Sequence, residues 1–216
     1  MCKQSCVVAA SAVIALALGA VPARAQSLLQ GSPDTVWYGN VRLEGAPAEM
    51  YPHDGGSDNT GAVFRLGYGL TSRFNLEAKS GFFDGVTLLG GDAHVRLYDR
   101  KDTVAAVTVG GHHAFVSDAL DSNALDLAAT AGHWFSPRLQ VYAGFAYSFE
   151  KLNGVPRGLD DTFSRWYLVP GLRVGVSKRV DVLVEGGVGL DDNAPYYVTA
   201  GVAFNLPVTD RAAGRR

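Results

Sequence analysis

From Leu139 to Glu150 the chain alternates with a period of two. Leu139, Val141, Ala143, Phe145, Tyr147 and Phe149 fall on one face, and Gln140, Tyr142, Gly144, Ala146, Ser148 and Glu150 on the other. That period predicts a strand with one apolar and one mixed face. A polar turn, Ser136-Pro137-Arg138, joins it to a second such run, Asn123–Phe135, where Leu125, Leu127, Ala129 and Ala131 oppose Asp126, Ala128, Thr130 and Gly132. Hairpins of the same kind recur around Ser72-Arg73, Asp99 to Asp102 and Ser177 to Arg179.

Between these turns the pattern predicts further strands at Thr35–Glu44, Thr60–Leu70, Phe74–Phe83, Val86–Tyr98, Thr103–Phe115, Phe163–Val176, Val180–Leu190 and Tyr196–Leu206. The total is ten, with eight the alternative count, and no segment after the leader has helical period. Asp84-Gly85 is a strong hairpin signal. Gly45–Asn59 and Lys151–Thr162 read as long loops, dense in Gly, Pro, Asp and Asn. Short connections alternate with mostly longer ones, the signature of an all-β, up-and-down antiparallel barrel.

Two kinds of barrel share that signature. A soluble barrel turns its apolar face inward, whereas a membrane barrel turns it to lipid and lines its lumen with polar groups. Predicted strands of about 10 to 13 residues suit a tilted crossing. The apolar faces are almost free of charge and carry aromatics near strand ends, at Trp37, Tyr68, Phe74, Phe82, Phe135, Phe149, Trp166, Tyr196 and Phe204. Such ends match interfacial girdles. The mixed faces combine glycines with charges of both signs, an odd coat for a soluble protein. The expectation is a transmembrane β-barrel.

The N-terminus adds an address. Lys3 precedes an apolar run from Val7 to Val21, and Ala23-Arg24-Ala25 supplies a small-x-small cleavage pattern. The chain thus divides into a cleaved signal peptide (1–25), a barrel (26–206) and a polar C-terminal tail (207–216). Both cysteines, Cys2 and Cys6, lie in the leader, so the remainder has no disulfide, thiol nucleophile or cysteine metal site. The formal charge is −2, and removing Lys3 and Arg24 with the leader takes it to −4. No nucleic-acid partner is expected from that balance.

With its signal peptide, cysteine-free hairpins, short Ser/Arg turns and final aromatic strand, the chain resembles the small bacterial outer-membrane β-barrel proteins. The resemblance covers essentially all of the sequence after the leader. It implies export to the periplasm and insertion into the outer membrane, with membrane lipids and the barrel-assembly machinery as partners. It leaves oligomeric state open. In that class the last strand ends in an assembly signal, and Gly201, Phe204 and Leu206 match its spacing. The departure is the tail after Leu206, where such proteins usually stop at a terminal phenylalanine.

The inward face decides function. Its candidate bases are Arg42, Arg65, Lys79, Arg96, Arg165 and Arg173, and its acids Glu44, Glu77, Asp92, Asp126, Glu150, Asp181 and Glu185. A nearly balanced set withdrawn from water should pair, giving a plugged lumen, and barrels of about eight strands are filled by side chains. The opposing signal is small inward residues, Gly67, Gly69, Gly81, Gly132, Gly144, Gly187 and Gly201, which would leave a narrow wet passage. The expected role is therefore structural or interactive, or that of a narrow passive pore. The runner-up is a membrane-embedded hydrolase with His112, His113, Asp118 and Asp121 at the looped rim. Omptin-type outer-membrane proteases have ten strands and use Asp and His there, and lipid A deacylases pair a histidine with a serine. No motif of either aligns here residue by residue. Loop aspartates usually serve as solvated turn formers, His94 and His133 read as ordinary hydrogen-bonding residues, and no metal or cofactor is expected.

Overall fold

A computed structural model describes residues 32–51, 59–117, 121–153, 161–191 and 194–208. The expected signal peptide (1–25), the tail after Val208, and positions 52–58 and 154–160 of the two expected long loops lie outside these residues. Ten strands follow one another: β1 (Asn40–Tyr51), β2 (Asn59–Gly69), β3 (Phe74–Phe83), β4 (Val86–Arg100), β5 (Thr103–Val116), β6 (Ser122–Ser136), β7 (Leu139–Leu152), β8 (Thr162–Gly175), β9 (Val180–Gly189) and β10 (Tyr196–Pro207). Every strand pairs antiparallel with its neighbours in sequence, and β1 closes on β10 from Asn40↔Pro207 to Tyr51↔Tyr196. Closure removes all free sheet edges, as a membrane demands.

The first strand differs from the sequence expectation. Thr35 to Gly39 is not strand, and β1 instead continues through Gly45 to Tyr51, which reads as loop. Local chemistry misled here, because Pro47 cannot donate to a ladder. The register shows how it is accommodated. Towards β10 the pairing skips from Gly45↔Val202 to Ala48↔Thr199, and the Thr199 hydroxyl donates to the Pro47 carbonyl at 2.9 Å.

The turns between β2/β3, β4/β5, β6/β7 and β8/β9 are short and share one end of the barrel. Lys101, in the two-residue turn after β4, is the non-glycine residue with positive φ (54°) among those described. At the opposite end Asn59 clamps the Asp84-Gly85 turn, donating to the Asp84 carbonyl and accepting from its N–H. Two bulges sit near the short-turn end, at Leu97 and Phe135, each an extra residue in its ladder. Both side chains project outward, 62% and 66% exposed, the re-aiming that bulges at barrel rims produce.

The molecule is inside-out relative to a soluble protein. Leu43, Phe64, Leu76, Val109, Leu127, Phe145 and Val202 are exposed, whereas Arg65, Asp92, Asp126, Arg165, Asp181 and Glu185 are buried. An apolar exterior on this scale suits hydrocarbon, not water.

Candidate functional site

The interior has three layers, and the middle one is ionic. The ladder places Gly90 opposite both Lys79 and His112. A side chain at Gly90 would collide with His112, its Cβ falling 2.8 Å from that of the histidine. Without one, the Lys79 ammonium reaches Asp92 at 2.8 Å and Asp126 at 2.9 Å. Asp126 also accepts from His112 Nδ1 at 2.7 Å and from the Ser148 hydroxyl at 2.8 Å. Since a carboxylate can only accept, His112 holds its proton on Nδ1; its Nε2 meets no partner among the described residues. Alongside, Arg42 pairs with Glu44 at 3.5 Å and Arg65 with Glu77 at 3.7 Å.

Towards the looped end the lumen becomes apolar. Met50, Val63, Phe83, Leu88, Tyr167 and Val169 are buried together with a set of alanines. One ion pair, Arg165–Glu150, is embedded there; Ser122 hydrogen-bonds the same carboxylate, and the guanidinium lies over the Phe163 ring at 4.5 Å. The sequence expectation of a lumen filled by charge alone is thus incomplete, because strand positions near the loops alternate apolar against apolar and carry no parity signal.

The third layer, at the short-turn end, comes from the N-terminal lead-in. Residues 32–36 enter the barrel before β1 begins. Ser32 donates to Gln140 at 2.7 Å, the Pro33 carbonyl meets His94 Nε2 at 3.3 Å, and the Val36 N–H reaches Asn75 at 3.3 Å. Arg173 bridges Asp34 and Asp181, each at 2.8 Å, with Trp134 beneath its guanidinium. Inward glycines make the room. A Cβ at Gly132 would fall 2.9 Å from Pro33, and one at Gly67 3.0 Å from Val36. Others seat tyrosine rings: Cβ atoms at Gly171 and Gly187 would lie about 2 Å from Tyr142 and Tyr197 respectively. Both hydroxyls then donate to Glu185, at 3.1 and 3.0 Å. At these four positions the glycines hold side chains and the lead-in rather than an open passage. Two interior cavities, beside His112 and beside Glu185, are about 10 Å³ each, at the threshold for a single water. A shallow groove of about 590 Å³ lies instead on the outer wall, between Phe64, Leu66 and Leu89.

All thirteen charged residues singled out from the sequence stand at inward strand positions, with Arg96 at the short-turn rim, paired to Asp99 at 3.0 Å. On β10, Gly201 faces in and Phe204 and Leu206 face out. The candidate catalytic residues do not converge. His112 points into the lumen with its side chain 2% exposed, whereas His113 lies on the outer wall, bonded to Asn123 at 2.9 Å. Asp121 caps the Val116 N–H at 3.1 Å and stands 3.9 Å from His113. Asp118 lies outside the described residues. Among the described residues no three His, Cys, Asp or Glu side chains gather as a metal site.

The family profile for the outer membrane protein beta-barrel domain matches residues 12–187. The chain belongs to that family. It is an outer-membrane barrel, and the apolar exterior described above is its lipid face. The chain is also similar to solved outer-membrane barrels, the first of those that follow supporting the fold. The COG4313 outer membrane channel from Pseudomonas putida F1 superposes with a TM-score of 0.55 at 10% identity, covering 83% of this chain and 100% of that one. The KdgM porin gives a TM-score of 0.44 at 11% identity, covering 76% and 98%. The N-terminal barrel domain of Pseudomonas aeruginosa OprF gives 0.39 at 15%, covering 78% and 97%. No curated protein matches the sequence.

Sequence reasoning missed the lead-in. Asp34 is an eighth acid in the interior, yet nothing in the polar stretch before β1 distinguishes a segment folded inward from one left in solvent. The inward glycines at Gly67 and Gly132 were the available signal, and they read equally well as an open passage.

Proposed function

We propose that this family member is a closed outer-membrane barrel with a structural or interaction role, exported through its signal peptide and inserted with the long loops outside the cell. The observation that carries the reading is the continuous filling of the lumen: the lead-in at one end, paired charges at the centre, and apolar side chains under the loops. A barrel filled this way is a rigid membrane element that presents its loops on one side and its turns on the other. The orientation follows the general rule that bacterial barrels keep their short turns in the periplasm.

One feature favours a second reading, a narrow pore stopped by its own lead-in. Residues 32–36 are held by side-chain contacts and by no regular ladder, so they are the part of the filling most easily withdrawn.

Planar-bilayer recordings on the refolded protein test both. The wild type is expected to show absent or small and rare conductance, and a variant lacking residues 26–36 to stay closed. A conducting deletion variant would favour the stoppered pore, and large, steady conductance of the wild type would overturn both readings.

A further inference from the structure

Each of the four short turns has cations in it or beside it, and Asp102 is the acid within them. Arg73 follows β2, Arg100 and Lys101 close β4, Arg138 follows β6, and Lys178 and Arg179 follow β8. All six are exposed, and among the described residues none has an ion-pair partner within 4 Å. Asp99, the nearest acid in chain order to Arg100, is engaged by Arg96. At the opposite end the charged residues described in the connections, Asp84, Asp121, Asp161 and Asp191, are all acids. The barrel is therefore polarised along its axis.

The placement of the cations is informative in itself. Turns after β2, β4, β6 and β8 occupy every second gap around a ten-stranded ring, and the fifth such gap, between β10 and β1, carries the exposed Trp37 and Tyr38. Exposed Tyr98 and Phe135 sit on the same rim. A protein partner docks on one patch; charges distributed around the whole circumference are met together only by something that surrounds the barrel. Aromatic rings mixed with long cationic side chains suit the headgroup zone of a bilayer, where the rings sit at the boundary and Lys and Arg extend their charges to the polar side.

We infer that the short-turn rim docks anionic phospholipid headgroups and so enriches such lipids around the barrel. The headgroup phosphates supply the missing counter-charges for Arg73, Arg100, Lys101, Arg138, Lys178 and Arg179. With the turns on the periplasmic side, these lipids belong to the inner leaflet. The inference goes beyond the closed-lumen reading, which conductance tests separately.

The test is lipid selectivity of the folded protein, measured with spin-labelled phosphatidylglycerol and phosphatidylcholine in reconstituted bilayers. Both leaflets contain both lipids, so the result does not depend on orientation. A Lys or Arg near an anionic surface is worth a factor of about five in association, so a preference for phosphatidylglycerol of about that size is expected at low salt. High salt should bring it towards one, because exposed charges are screened. Replacing Arg73, Arg138, Lys178 and Arg179 by Gln should do the same at low salt, whereas Asp84→Asn at the looped end should leave the preference unchanged. A wild-type ratio near one, or a preference that survives high salt, would overturn the inference without any variant having to fold. Binding of soluble polyglutamate together with a lipid ratio near one would assign the rim to an acidic periplasmic partner and overturn it equally.

Discussion

Arg173 on β8 donates to Asp34 across 139 residues of sequence, at 2.8 Å, and to Asp181 at the same distance. One guanidinium thus ties the lead-in to the barrel wall. The arrangement is bidentate across two carboxylates, which gives it geometric definition beyond simple charge pairing.

Removing that clasp leaves two carboxylates in the interior without their cation. Arg173→Ala is expected to cost about 3–5 kcal/mol, the usual penalty for breaking a buried pair from one side. Urea-dependent unfolding in vesicles measures it. Combined with Asp34→Ala, the double-mutant cycle should return a coupling of about 0.5–3 kcal/mol; strict additivity would mean that the lead-in is not held by this contact.

Gly186 and Gly187 are neighbours on β9 with opposite expectations. A Cβ at Gly187 lands 1.9 Å from the Tyr197 ring, so Gly187→Ala should displace the ring from Glu185 at a cost of about 1–3 kcal/mol. At Gly186 the nearest heavy atom is 3.6 Å away. Alanine there should be neutral or slightly stabilising, since glycine inside a strand costs about 0.5–1 kcal/mol relative to alanine. The same unfolding titration compares the pair.

Val184 faces lipid on β9 and pairs with Ala200 and Leu172. Val184→Arg is expected to destabilise the barrel by about 2–4 kcal/mol if the position lies near the bilayer midplane. Val184→Leu should change stability little. Equal effects of the two, read from folded and unfolded gel bands across a urea series, would place this face away from hydrocarbon.

Orientation has its own experiment. Single cysteines replacing Asp58 and Arg138 are exposed to an impermeant thiol reagent on intact cells. Labelling is expected at position 58, in the loop after β1, and not at position 138, in the turn after β6. The reverse result would invert the barrel.

Much of the architecture is readable from the chain alone. Strict alternation on β6, β7 and β10 determined the strand count, the closed all-β fold and which side chains face in, because a period of two admits only one register against a two-sided environment. Where apolar residues stand side by side, as at Phe82-Phe83, Leu88-Leu89 and Trp166 to Pro170, alternation carried no such information. The apolar layer under the loops stayed hidden for that reason. Pro47 misled for a different one: turn chemistry is local, whereas the two-residue gap in the ladder that accommodates it belongs to the β1–β10 pairing. That pairing joins the two ends of the barrel domain.

What the sequence determined by itself was therefore set by short-range periodicity: a lipid-facing barrel, its inward charges and its cationic turns. What only the tertiary structure decided was how the interior is filled. The lead-in turns inward because Gly67 and Gly132 leave space where β2 and β6 face the lumen, and because Arg173, far along the chain, waits there for Asp34. Each of these contacts joins residues widely separated in sequence, and no periodicity encodes them; they exist only once the barrel has closed.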